Sequence, residues 1–344
     1  MRAYRIIRHG GPEVLEWTEL PDPRPKADEA VVRVRACALN HLDLWVRNGV
    51  EGVKYPLPLV PGSEIAGDVV AVGAAVAGFR PGDAVLVAPG ISCGLCERCL
   101  AGEDPLCAQY GIFGETRDGG CAELVAVPAR NLLPLPKGLD YAQAAAVPLS
   151  FLTAWHMLRE RARLRPGEDV LVHAAGSGVS SAAIQIARLL GAGRILATAS
   201  SAAKLEQARA LGATDTIDYT KEDFPRRVRE LTGGAGVAVV VDHVGGEMFA
   251  KSVKTLQRGG RIVTCGATAG HLVEINLRAV FFKSLSILGS TMGSLLELKR
   301  LLRHVERGEL RPVVDSTFPL AELPRAQEAL ARREQFGKIV VLAG

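Results

Sequence analysis

Cys93, Cys96, Cys99 and Cys107 lie in the run C-G-L-C-E-R-C-L-A-G-E-D-P-L-C, a C-x2-C-x2-C-x7-C spacing that resembles a tetrahedral zinc-thiolate lobe. Four thiolates close the coordination sphere of Zn²⁺ and leave no position for water or substrate. The lobe is therefore expected to hold one structural zinc and to do no chemistry. Disulfides are a rival reading. The chain has seven cysteines, and no apolar signal segment follows M-R-A-Y-R-I-I-R, a cytoplasmic pattern that argues for free thiols. An iron–sulfur cluster is another rival. In the bacterial ferredoxin run, however, the fourth cysteine follows the third after three residues and precedes proline. Here seven residues intervene and Ala108 follows Cys107. Unligated buried thiols are the last alternative, and this Gly- and charge-rich stretch lacks the apolar residues to bury them.

A second constellation is the segment D-V-L-V-H-A-A-G-S-G-V-S-S-A-A-I-Q-I-A, which puts a turn of small residues between a buried strand and a helix. Such a turn lets a pyrophosphate approach backbone N–H groups at the positive end of the helix dipole. It departs from G-x-G-x-x-G: Ala175, Ser177 and Ser180 take the three glycine slots, and the glycines fall at Gly176 and Gly178. Backbone N–H groups of Ser177, Gly178 and Val179 are the expected phosphate donors. The following strand, R-I-L-A-T-A-S-S, ends without the acidic residue that receives a ribose 2′-hydroxyl in NAD-binding units. Ser200 leaves room there for a 2′-phosphate and Lys204 supplies a base, so the expected cofactor is NADP(H). A solvated helix-start lysine is the alternative for Lys204.

The elements that must position these groups fall into two textures. Residues 1 to 142 read as short strands punctuated by Gly and Pro, such as E-A-V-V-R-V-R-A-C-A-L, G-D-V-V-A-V-G and G-D-A-V-L-V-A-P, which indicates a mostly β domain. From 143 to 290 helices and strands alternate. An Ala-rich helix near 141 to 162 is followed by V-L-V-H-A-A (strand), V-S-S-A-A-I-Q-I-A-R-L-L (helix), R-I-L-A-T-A (strand), A-K-L-E-Q-A-R-A-L-G (helix) and the strands V-A-V-V-V-D, R-I-V-T-C-G and L-S-I-L-G-S. That alternation predicts an α/β fold with a parallel, doubly wound Rossmann sheet. Residues 291 to 344 add the amphipathic helix L-L-E-L-K-R-L-L-R-H-V and a strand G-K-I-V-V-L-A. The 344 residues suffice for two cores. The composition, 48% hydrophobic and 23% charged, is that of a soluble globular protein, and the balance of 41 basic to 37 acidic residues is too mild to imply a nucleic-acid partner. No apolar run reaches membrane-span length, so no membrane partner is expected.

The cysteine lobe, the small-residue turn and the alternation together resemble the medium-chain dehydrogenase/reductase superfamily, which includes zinc alcohol dehydrogenases and quinone oxidoreductases. Further stretches are similar to it: G-G-P-E-V-L, P-G-S-E-I-A-G-D-V-V-A-V-G, G-F-R-P-G-D-A-V, A-A-V-P-L-S-F-L-T-A-W, V-V-D-H-V-G-G and G-K-I-V-V. The resemblance covers essentially the whole chain. It implies a GroES-like β domain carrying the zinc lobe, to which the final segment returns. It also implies pairing of cofactor domains into a homodimer or homotetramer near Ser286 to Thr291.

Zinc alcohol dehydrogenases hold a second, catalytic zinc through three ligands. Aligned here, those slots fall on Asn40, Ser63 and near Leu149, and an amide, a hydroxyl and an aliphatic chain are poor ligands for Zn²⁺. Interconversion of alcohol and carbonyl relies on such a Lewis acid, whereas hydride delivery to a quinone or an α,β-unsaturated carbonyl needs only weak donors. The stretch N-H-L-D-L-W-V-R-N-G followed by Y-P-L-P looks like the quinone oxidoreductase branch. The expectation is thus an NADPH-dependent oxidoreductase acting on a small-molecule carbonyl or quinone without a catalytic metal. An alcohol or aldehyde dehydrogenase of the zinc alcohol dehydrogenase family is the alternative, and a cofactor-binding protein without useful turnover a third reading.

By the same resemblance Asn40, Tyr55 and Ser63 are the candidate catalytic residues. Asn40 either donates to the substrate oxygen or caps local backbone, Tyr55 either donates to that oxygen or packs beside Pro56, and Ser63 lines the pocket. Asp43 is expected to fix local backbone. On the cofactor side stand His41, toward phosphates or else a solvated loop histidine, Lys338 toward a phosphate, Thr153 along the pocket or else bonded to backbone, Tyr219 near the adenosine phosphate or else a surface tyrosine, and the main chain of Cys265, Gly266, Gly289 and Ser290 at the nicotinamide carboxamide.

Overall fold

The computed structural model describes residues 1–344. They divide into two compact units: Met1–Leu149, Gly293–Gly308 and Pro312–Gly344 form the first, and Ser150–Met292 with Glu309–Arg311 the second. The sequence texture changes at 142/143 and 290/291; the compact units meet at 149/150 and 292/293.

The first unit opens with an antiparallel pair, β1 (Arg2–Ile6) and β2 (Leu15–Glu19), followed by β3 (Glu29–Ala38), helix α1 (His41–Asn48), β4 (Glu64–Val72) and β5 (Ala84–Val87). A two-stranded lobe, β6 (Gly90–Ile91) with β7 (Gly111–Ile112), encloses α2 (Glu97–Leu100). Then come β8 (Leu124–Pro128), β9 (Leu132–Pro134) and the short α3 (Tyr141–Ala145).

The second unit contains α4 (Ser150–Trp155), which runs on as a π-helical stretch over His156–Arg161. The single Ala-rich helix expected near 141 to 162 is therefore two helices. Pro148 lies in the break between them, where its ring and missing N–H oppose helix continuation. The sheet follows: β10 (Val170–Val172), α5 (Gly178–Leu189), β11 (Ile195–Ala199), α6 (Ala202–Leu211), β12 (Asp215–Asp218), α7 (Phe224–Leu231), β13 (Val237–Asp242), α8 (Gly246–Val253), β14 (Leu256–Thr264), α9 (Leu277–Lys283) and β15 (Ser286–Gly289). All pairs are parallel and the order is β12-β11-β10-β13-β14-β15, a doubly wound arrangement whose direction reverses between β10 and β13. The central strands are buried on both faces, as their unbroken runs V-L-V and V-A-V-V-V-D require.

The chain returns to the first unit through α10 (Leu295–Glu306), β16 (Val314–Pro319), α11 (Leu323–Arg332) and β17 (Lys338–Leu342). β17 joins β3 antiparallel, giving the sheet order β16-β17-β3-β4-β5-β9 with β8 on β3. Its core joins Val32, Val34, Ile65, Val85, Phe113, Ile339 and Val341. That pairing brings Lys338, far along the sequence, beside Asn40 and Glu64.

Candidate active site and metal lobe

In the first unit Asn40 is the N-cap of α1, and its backbone N–H donates to Asp43 Oδ2 at 2.7 Å. The other Asp43 oxygen accepts the Gly62 N–H at 2.9 Å, so one carboxylate fixes both the Asn40 turn and the loop that presents Ser63. Only glycine serves at 62: its φ is +102°, and a Cβ there lies 2.6 Å from Cys37 Sγ. Burial raises the Asp43 carboxyl to about 6, against the lowering effect of the Asn40 and Gly62 N–H groups and of Lys338.

Glu64, the first residue of β4, is fully buried. Its Oε2 lies 2.5 Å from Lys338 Nζ and accepts Asn40 Nδ2 at 3.1 Å, while its Oε1 accepts the Leu149 N–H at 2.7 Å. Lys338 Nζ also donates to Asn40 Oδ1 at 2.6 Å. Sequence reading sends Lys338 toward a cofactor phosphate; instead its ammonium is sealed against Glu64 and Asn40, because β17 lies next to β3 and the charge needs a buried partner there. Asn40 accepts from Lys338 and donates to Glu64 and to the Ala38 carbonyl, the last at 3.4 Å. Its amide is thus engaged within the protein rather than held out for a substrate.

Ser63 Oγ is buried without any hydrogen-bond partner in the chain. A buried hydroxyl left so is an exception that asks for a ligand or water. Tyr55 is half-buried, its ring edge-on to His9 at 5.6 Å, and burial raises its phenol. His41 begins α1 and is half-exposed.

The three slots at which zinc alcohol dehydrogenases bind a catalytic metal do not fit one here. Asn40, Ser63 and Leu149 offer an amide, a hydroxyl and an alkyl group, and the adjacent Glu64 carboxylate is neutralised by the Lys338 ammonium. A second cation at that point meets like charge, and no group of three or more His, Cys, Asp or Glu ligand atoms converges there.

The lobe is different. Cys93, Cys96, Cys99 and Cys107 bring all four sulfurs within 4.8 Å of one another, with Sγ–Sγ separations of 3.9 Å for 93–99, 3.6 Å for 96–99 and 3.6 Å for 93–107. A tetrahedron with Zn–S bonds near 2.3 Å has edges of about 3.8 Å. The donor set and its spacing fit a structural zinc, with the Cys96 and Gln109 N–H groups directed at sulfur.

In the second unit β10 leads through His173, Ala174 (φ +50°), Ala175 and Gly176 to Ser177, the N-cap of α5. Ser177 Oγ accepts the Ser180 N–H at 3.0 Å. The N–H groups of Gly178 and Val179, in the first turn, have no intrahelical acceptor and fit an anionic ligand. The site is thus a small-residue cradle on a helix N-terminus at the strand-order reversal, which fits a dinucleotide pyrophosphate. Sequence reasoning missed His243, whose Nε2 lies 2.9 Å from both Ser177 Oγ and Ser180 Oγ. Its signal was the V-V-D-H-V-G-G run at the end of β13, the strand beside β10 across that reversal.

Beside the β11 end, Ser200 is exposed, Lys204 lies in the first turn of α6 and Tyr219 follows β12 with about a third of its surface, 37%, exposed. Asp218 ends β12 in register with Ala199, but its carboxylate is occupied by Thr220 and by Lys221 at 3.0 Å. On the other half of the sheet the Cys265 N–H donates to the Asp242 carbonyl at 3.3 Å and the Gly266 N–H faces Thr264 Oγ1 at 3.4 Å. The Ser290 N–H donates to the Thr264 carbonyl, Ser290 Oγ is buried and unpartnered, and the Gly289 carbonyl is taken by Arg161 at 2.7 Å. Burial pushes the Cys265 thiol up to about 12, with the Asp242 charge adding to it, so this thiol is no nucleophile. Thr153 Oγ1, buried in α4, faces Met292 Sδ at 3.9 Å. The residues named for each unit are gathered on its own scaffold: Asn40, Ser63 and Lys338 around Glu64, and the cofactor residues along the carboxyl ends of the parallel strands.

Residues 26–137 match the family model described as alcohol dehydrogenase GroES-like domain, and residues 178–307 the one described as zinc-binding dehydrogenase. A quinone oxidoreductase of Pseudomonas aeruginosa is 37% identical, over 99% of this chain and 99% of that protein. Among solved structures, an NAD-dependent alcohol dehydrogenase matches with a TM-score of 0.96 and 53% identity over 100% of both chains. A cobalt- and zinc-bound thermostable alcohol dehydrogenase from Pyrobaculum aerophilum matches with a TM-score of 0.90 and 34% identity, over 100% of this chain and 99% of that one.

Proposed function

The chain belongs to the medium-chain dehydrogenase/reductase superfamily of NAD(P)(H)-dependent oxidoreductases, and on that footing we propose that it reduces quinones or α,β-unsaturated carbonyls with NADPH and without a catalytic metal. The observation that carries this reading is the Lys338–Glu64–Asn40 cluster with Ser63 and Leu149, a donor set that cannot hold zinc where the alcohol dehydrogenases need it.

The α5 turn would hold the pyrophosphate of the dinucleotide, whose reduced nicotinamide would supply a hydride. The substrate chemistry then asks the chain only for donors to an oxygen whose new charge is delocalised, and we assign that task to the Ser63 hydroxyl, fully buried and without a partner in the chain, with Tyr55 as a second donor. Asp43 orients that hydroxyl through Gly62 rather than moving a proton itself. The four-thiolate lobe holds one zinc per chain, which tightens the segment between β6 and β7. The NADPH preference rests on the absence of an acid at Ala199–Ser201, on Lys204 and on the occupied Asp218 carboxylate. Protomers pair through β15, an edge strand whose Ile287, with Phe281 and Phe282 of the adjacent α9, leaves apolar surface exposed.

The second reading is an alcohol or aldehyde dehydrogenase using NAD, favoured by the 53% identity to a structure described as an NAD-dependent alcohol dehydrogenase. A panel of quinones, enones, aldehydes and alcohols assayed with both cofactors decides. Our reading predicts quinone or enone turnover with a lower KM for NADPH, and a loss of kcat on the order of 10²-fold in Ser63→Ala, the cost of removing one oxyanion donor. Alcohol oxidation with NAD alone, indifferent to Ser63, contradicts it.

A further inference from the structure

The hydroxyl groups behind the dinucleotide turn form a chain in which each proton has one place to go. Ser252 Oγ donates to the Met248 carbonyl at 2.7 Å, so at its 2.7 Å contact with His173 Nε2 it accepts. His173 then accepts at Nδ1 from Thr198 Oγ1, at 3.0 Å. The ring is neutral: burial first, and His243 second, push it down to about 3. Ser180 Oγ donates its single proton to the His173 carbonyl at 2.6 Å. It has none left for the His243 Nε2 at 2.9 Å, so Nε2 carries the hydrogen and Ser180 accepts.

The same Nε2–H faces Ser177 Oγ at 2.9 Å, a bifurcated contact of the kind common at helix termini. Ser177 Oγ also accepts the Ser180 N–H at 3.0 Å. Both of its lone pairs are therefore directed inward by donors, and its own proton has no acceptor within the protein. Ser177 is the N-cap residue of α5, next to the uncommitted Gly178 and Val179 N–H groups.

We propose that His243 is a cofactor-positioning residue: its Nε2–H, shared by Ser177 and Ser180, forces the Ser177 hydroxyl to act as a donor to a phosphate oxygen of the dinucleotide. Without that N–H one Ser177 lone pair loses its inward donor, the hydroxyl is no longer held with its proton outward, and the phosphate can meet a lone pair in place of a donor. The inference rests on the reading that this turn receives a dinucleotide, and it concerns the pyrophosphate, so it holds equally for NADPH and NADH.

The test is direct binding of NADPH and NADH to the full-length protein, followed by cofactor fluorescence, for the wild type and for His243→Leu, His243→Gln, Ser177→Ala and the His243→Leu/Ser177→Ala double variant, with thermal unfolding of each. The expected result is a loss of about tenfold in affinity for either cofactor in His243→Leu and in Ser177→Ala, the scale of one hydrogen bond to a charged group. The double variant should bind no worse than Ser177→Ala, since both changes remove the same donated proton. His243→Gln, which keeps an N–H donor, should recover part of the loss. Additive losses in the double variant, unchanged binding in His243→Leu, or a loss that merely follows a fall in Tm across all variants would overturn the proposal. A wild-type protein that binds neither dinucleotide overturns the underlying reading instead, and the two failures are told apart by that first measurement.

Discussion

Lys338 Nζ, 2.5 Å from Glu64 and 2.6 Å from Asn40 in a buried setting, is stable only as part of a set. Removing the ammonium takes the cationic partner from a buried Glu64 carboxylate that keeps the Asn40 and Leu149 N–H donors, a loss of about 3–5 kcal/mol by the usual cost of breaking a buried pair. Lys338→Met should therefore unfold at markedly lower urea concentration than wild type, and Lys338→Met/Glu64→Gln should recover much of the difference. An additive double-mutant cycle in urea contradicts the coupling. Asp43 makes a second claim at this scale. Its folded pKa of about 6 lies above the ordinary 3.8, so the folded state binds its proton more tightly and the stability this provides is complete below about 3.8 and lost as pH rises through about 6. Unfolding free energies of wild type and Asp43→Asn, measured from pH 4 to 7, should show the wild type losing ground to the variant over that window. A constant difference contradicts the raised pKa. Residue types were legible where chemistry is local, as with four cysteines at metal spacing. Lys338 was not, because its partners depend on β17 pairing with β3, a contact that no local pattern encodes.

At the scale of elements, the edge strand β15 and helix α9 leave Ile287, Phe281 and Phe282 open on a sheet that otherwise buries its apolar residues. An unpaired, apolar edge is a template for another strand. On the proposed pairing, a charge there, as in Ile287→Lys, should give monomers in sedimentation velocity where the wild type gives a larger species, with the far-UV spectrum unchanged; equal masses for the two contradict pairing through this edge. The strands β3, β4, β5, β10, β11, β13, β14, β15 and β17 and the helices α5, α6 and α10 were all readable from alternation and apolar runs. The segments β12, α7, α8 and α9 were not singled out. D-T-I-D is too short and polar to read as a strand alone, and α7 is dominated by charge, with only Phe224, Pro225 and Val228 buried. The Ala-rich stretch from 141 reads as one helix because propensity dominates it, and Pro148 outweighs that propensity.

For the molecule as a whole, the family relationship joins this chain both to zinc-bound alcohol dehydrogenases and to quinone oxidoreductases. On our proposal, the Lys338–Glu64–Asn40 cluster with Ser63 places this chain with the second of those chemistries. No helix is long and apolar enough to cross a membrane. The central claim is that the metal belongs to the lobe and the reaction to the metal-free cluster. It is tested by measuring zinc per protomer together with quinone turnover and thermal stability during titration with a chelator. The account predicts one zinc per protomer at full activity, and a fold that loosens before or together with the loss of turnover as that zinc leaves. Two zincs per protomer, with turnover lost on removal of the first while the fold stays intact, contradicts it.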